Sequence, residues 1–181
     1  MSTDVSALLV DFMLWILLPL WTLAGAADYW LHRRTDIEHT SGLKESLLHV
    51  VQAIEIGIPL LAGLFFQVNL LVIVIMIASV VVHMLTALWD TSYTGSRRYI
   101  SPIEQHVHSH LEYIPFVAVA CVVILHWDAF HTPSWTLKLR DQPLPWAPVV
   151  TVLALVFGVQ GMLLGEELLR SLRAAHALLR K

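Results

Sequence analysis

Five apolar stretches, each near the length needed to cross a bilayer, constrain this chain more than any other feature. A spanning helix needs roughly 20 mainly apolar residues, and in hydrocarbon only helices and closed barrels satisfy their own backbone. The stretches cover about residues 7–30, 47–66, 70–89, 106–127 and 147–165. Gln67, Val68 and Asn69 alone separate the second from the third, which predicts a tight antiparallel hairpin. The 57% hydrophobic and 14% charged composition agrees, since soluble domains sit near 45–50% and 25%. The expected fold is an all-α integral membrane protein, a bundle of about five transmembrane helices forming one domain over residues 1–181.

Basic residues orient these spans. Arg33, Arg34 and Lys44 lie between spans one and two, Arg97 and Arg98 between three and four, and Arg170, Arg173, Arg180 and Lys181 after span five. With five spans these fall on one side, and only Lys138 and Arg140 on the other. By the positive-inside rule the amino terminus is expected outside and the carboxyl terminus in the cytoplasm, the membrane being the inner or plasma membrane if the cell is bacterial. Ala24, Gly25, Ala26 and Ala27 have the small-residue character of a signal cleavage site. Met1 to Ser6 carries no positive charge, however, so a retained first helix is expected. Ser101, Pro102 and Glu104 fit a capping box with proline at the first helical position, starting the fourth helix. Residues 166–181, with Glu166 and Arg170 four apart, read as an amphipathic helical extension that takes no part in any site.

The net charge of −3 offers nothing to nucleic acid, and a lone Cys121 in an apolar run excludes a disulfide framework or a cysteine zinc site. The ten histidines are the unusual component. Seven of them (His32, His39, His49, His83, His106, His108 and His110) fall on the inner side, together with Asp28, Asp36, Glu38, Glu45, Glu55, Asp90, Glu104 and Glu112. Asp36 and Glu38 read as loop residues or partners of Arg33 and Arg34.

Residues four or seven apart share a helical face. Asp28 pairs with His32, Glu45 with His49, His83 with Asp90, and His106 with His110. Four helices thus each offer an imidazole and a second donor, as protein di-metal bundles do. Ionisable groups in hydrocarbon cost several kcal/mol (about 2.5–3.5 for charged types at the centre), and they face the bundle with a partner. The expected ligand set is Asp28, His32, Glu45, His49, His83, Asp90, His106 and His110. His39, His108 and Glu112 stand in reserve, because a rotated fourth helix would exchange the His106 face for the His108 face. Mixed imidazole and carboxylate donors suit iron, zinc or manganese. Their number exceeds one catalytic zinc site, so two metal ions are expected, iron first.

This layout resembles the histidine-rich integral-membrane di-iron hydroxylases and desaturases, whose histidine boxes lie at the cytosolic ends of membrane helices. The resemblance covers residues 28–112 and rests on placement, since the chain has His106-Val107-His108-Ser109-His110 where those enzymes carry His-x-x-His-His boxes. It implies oxygen-dependent oxidation of a lipid-like or hydrophobic substrate with an electron donor as partner. It also implies iron ligation by His32, His49, His83, His106 and His110, with Asp28, Glu45 and Asp90 as ligands or their supports. Three alternatives come from other classes: a zinc-dependent membrane lipid hydrolase or amidase, a haem-b electron carrier using His49 and His83 or His83 and His110, and a non-catalytic membrane subunit.

Overall fold

The structure, a computed structural model, describes residues 4–180. Among these, five helices are long and apolar enough to span a membrane: α1 (Val5–Arg34), α2 (Leu43–Phe65), α3 (Leu70–Gly95), α4 (Pro102–Leu125) and α5 (Trp146–Leu179). The described chain contains no strand, only an isolated bridge between Phe66 and Leu139. The protein is an all-α integral membrane bundle.

Every helix is longer than its apolar stretch, and the excess lies mostly at the end rich in histidine and carboxylate. At 1.5 Å per residue, α1 and α5 run to about 45 and 51 Å, beyond the roughly 30 Å of hydrocarbon. Polar residues at these ends, Asp28 to Arg34 and Glu104 among them, are therefore held in regular helix. The α4 start is the predicted capping box, with Ser101 Oγ accepting from the Glu104 backbone N–H at 3.1 Å and the Glu104 carboxylate accepting from the Ser101 N–H at 3.4 Å.

The α2–α3 hairpin turns at Gln67–Asn69, where Asn69 caps α3 by accepting from the Val72 N–H at 3.2 Å. Small residues let the two helices approach: a Cβ on Gly63 would meet Met76 Cε at 2.9 Å. Ala62, Val72 and Met76 form the buried apolar core there, packed against Val119 and Val122 of α4. The loop before α5 folds over this turn. Arg140 donates from its backbone N–H to Phe65 O at 3.0 Å and from its guanidinium to Gly63 O at 2.7 Å, satisfying carbonyls that end α2.

Helix α5 locks onto α1 through Gln160, whose Nε2 donates to Thr22 O at 2.6 Å. The approach needs Gly25, because a Cβ there would lie 2.3 Å from Gln160 Oε1. A π-helical stretch at Ala154–Gln160 precedes the contact, and such bulges rotate the succeeding turns relative to a regular helix. The distal part of α5 then packs against α1 and α2. Tyr29 and Arg33 reach Glu166 at 2.8 and 2.9 Å, Ser46 bonds Ser171 at 2.8 Å, and Arg170 pairs with Glu38. Residues 166–178 are thus part of the bundle, correcting their reading as an uninvolved extension. Their small and polar inward face at Glu167 and Ser171 is what sequence hydropathy passes over.

The outer surface is apolar around the spans, with Trp15, Leu23, Ile54, Leu85, Leu88 and Phe157 exposed. Arg34 lies over the Trp30 ring at 4.2 Å and Lys44 over Tyr93 at 4.2 Å. These aromatic and basic groups mark the interfacial level at the helix ends that carry the polar cluster.

Candidate metal centre

Glu167 of α5 holds the two central histidines. His32 Nδ1 lies 2.9 Å from Glu167 Oε2, and His49 Nδ1 lies 2.7 Å from Oε1. The imidazole rings stack in parallel, 4.8 Å between centroids and 3° between planes. An ionised carboxylate only accepts, so both Nδ1 atoms donate to Glu167, and neither Nε2 takes part in that hold. This is how a supporting carboxylate fixes the tautomer and aim of a metal-binding histidine.

The two freed nitrogens face carboxylates. His32 is fully buried, and its Nε2 lies 3.5 Å from Asp28 Oδ1, 3.7 Å from Glu104 Oε1 and 3.8 Å from Glu45 Oε1. None of these is a hydrogen bond. His32 Nε2 and Glu45 Oε2 are buried without a hydrogen-bond partner among the described residues, while Asp28 Oδ1 and Glu104 Oε1 meet cationic or imidazole groups, His108 and Arg98. Donors bound tetrahedrally at about 2.1 Å to one ion stand roughly 3.4 Å apart, so the spacing suits an ion between them. His49 Nε2 lies 3.1 Å from Asp90 Oδ2, which also accepts from Gln52 Nε2 at 3.0 Å. His108 Nε2 lies 2.9 Å from Asp28 Oδ1. Asp28 stands between the two sets, with Glu45 and Glu104 on one side and His49, Asp90 and His108 on the other.

One cation of the protein enters this cluster. Arg98, in the loop between α3 and α4, lies 2.8 Å from Glu45 Oε1 and 2.6 Å from Glu104 Oε1, with its side chain almost wholly buried. Burial works to lower its pKa, but the Glu104 and Glu45 carboxylates more than offset this and hold it above its ordinary value. The guanidinium stays charged.

The expected ligands divide. Asp28, His32, Glu45, His49 and Asp90 converge, as does the reserve residue His108. His83 is buried but lies seven residues deeper along α3 than Asp90, 3.6 Å from Glu55 Oε2, on the wall of a cavity of about 30 Å³. Thr86 donates to Glu55 Oε1 at 2.7 Å. His106 and His110 do not join the cluster. They pack edge to face at 4.7 Å with His106 exposed, and His110 Nδ1 bonds the His106 carbonyl at 2.8 Å. The inward face of α4 runs through Glu104, His108 and Pro115, and a residue two positions from His108 points about 200° away. His39 stays in the exposed loop, 2.8 Å from Asp36, whose carboxylate raises its pKa above the usual value. Glu112 is half-buried on the cavity wall.

Glu104, Glu167 and Arg98 were absent from the expected set. For Glu104 a signal existed: Asp28/His32, Glu45/His49 and Glu104/His108 repeat one pattern, a carboxylate with histidine four residues on. Its capping-box role hid the third copy. Glu167 had no such signature, standing alone beyond an apolar run.

The fold and cluster define a class, a five-helix membrane protein with a buried histidine–carboxylate centre able to hold metal. No protein-family model matches the chain, and no curated protein or solved structure matches it significantly.

Proposed function

We propose that the chain is a membrane-embedded two-metal oxidoreductase, iron first and zinc or manganese as substitutes, acting on a hydrophobic or lipid-like substrate. The observation that carries the metal reading is Glu167 bridging His32 and His49 while the unpartnered Nε2 of buried His32 is ringed by the carboxylates of Asp28, Glu45 and Glu104. Charge supports the count of two. Among the described residues Asp28, Glu45, Asp90, Glu104 and Glu167 bring five negative charges to the cluster, and Arg98 returns one. Two dications balance the remaining four.

Asp28, His32, Glu45 and Glu104 would hold one ion, and His49, Asp90 and His108 the other, with Asp28 shared. An oxygen-rich donor set with three imidazoles and no thiolate suits iron or manganese over copper(I). Two irons supply the capacity to activate dioxygen against a C–H bond. Inserting one oxygen atom and releasing the other as water consumes two electrons and two protons, so an electron-donor partner belongs to the reading. We place the cluster on the cytoplasmic side of the membrane, the inner or plasma membrane if the cell is bacterial, from the distribution of arginine and lysine.

Elemental analysis of detergent-purified protein tests the proposal. The expectation is two irons per chain, lost in His32→Ala and in Glu167→Ala. One zinc per chain would move the reading to a hydrolase, and a metal-free parent protein would end it.

A further inference from the structure

The cavity beside the cluster has two unlike walls. One carries Asp28, His49, Asp90 and His108. The other, at the seam of α3 and α4, carries Ala87, Thr91, Leu111 and Glu112, all half-buried. Flanking residues on the same helices, Leu85, Leu88 and Tyr113, are more than half exposed and turn toward lipid. Ala87 is eight residues from the end of α3 and Leu111 nine from the start of α4, so this wall lies about 12–14 Å along the helices from their polar ends. Asp90 and His108 on the polar wall are only five and six residues from those ends. Ala87, Leu111 and Glu112 therefore form the deeper side of the cavity, where small Ala87 leaves the two helices least covered.

The rim chemistry is one-sided. Among the described residues no hydrogen bond engages the Glu112 carboxylate, whose pertinent charged neighbour is His108. The cavity lining contains three carboxylates, Asp28, Asp90 and Glu112, and neither lysine nor arginine. A carboxylate without a hydrogen-bond partner on such a lining favours a donor and disfavours an anion.

We propose that the α3–α4 seam is a lateral substrate portal, and that its Glu112 carboxylate selects an amphiphile with a cationic, hydrogen-bond-donating head, a long-chain amine, over a free fatty acid. This rests on the two-metal reading for the chemistry after entry, but not for binding itself.

Binding is measured on the detergent-purified full chain at pH 8 by tryptophan quenching with nitroxide-labelled dodecylamine and with the matched labelled dodecanoate, and metal content is determined on the same samples. The amine should bind about tenfold more tightly or better, the range of one charge-assisted hydrogen bond. Glu112→Gln should abolish that preference with metal content unchanged, and Ala87→Trp should weaken both ligands by narrowing the seam. Equal binding of the two probes, or a preference surviving Glu112→Gln, overturns the portal assignment. An amine preference in protein that contains no metal supports the portal while sinking the two-metal reading, and two metals without a preference does the reverse.

Discussion

Two residues apart on one helix, His106 and His108 have opposite surroundings. His108 reaches Asp28 across the bundle at 2.9 Å, whereas His106 meets only His110 and the outside. If position on the α4 face decides ligation, His108→Ala should lose at least one metal per chain. The double variant His106→Ala/His110→Ala should retain both, and elemental analysis of the two proteins side by side checks this. Loss of metal from the double variant and not from His108→Ala would show that α4 is rotated in the metal-bound protein. The contrast also marks what a sequence offers at this scale. Donor pairs at spacing four were visible on α4 in both settings, His106/His110 and His108/Glu112. Choosing between them takes the rotation of α4 about its axis, which is set by contacts with α1 and α3 many residues away.

Helices set the precision of the cluster. The span assignments were legible because hydrocarbon imposes a length and a hydropathy on each element, and the α4 start was legible because a capping box is a local pattern. How far α1 and α3 run past their apolar stretches was not, since residues 33–34 and 91–95 are largely polar and hydropathy stops short of them. Glu167 was illegible for a related reason: its role depends on how α5 is seated against α1. That seating runs through Gly25, which admits Gln160 to the Thr22 carbonyl. Gly25→Val places methyl groups where the Gln160 amide lies. The expected cost is about 1–3 kcal/mol of overpacking, and a lowered metal content although residue 25 touches no ligand. Thermal unfolding in detergent, read with metal analysis, checks both parts. Full metal occupancy at unchanged midpoint would show that the α1–α5 contact does not position Glu167.

Across the whole molecule, polar and apolar surfaces divide along the bundle axis. The loop over the α2–α3 turn occupies one end, with Lys138 and Arg140, and the cluster with eight of the described arginines and lysines occupies the other. Cysteine labelling checks this topology, using single cysteines at Ser96 and Ser134 after replacement of the buried Cys121. Opposite sides of the membrane should label the two positions, Ser96 from the cytoplasm. Labelling of both from one side would remove a span. The seat of Glu167 has a further consequence for biosynthesis. Helices α1 to α4 can insert while translation continues, but the carboxylate that orients His32 and His49 lies on α5. The two imidazoles are therefore synthesised well before the group that aligns them, and stay unaligned until α5 packs against α1 and α2.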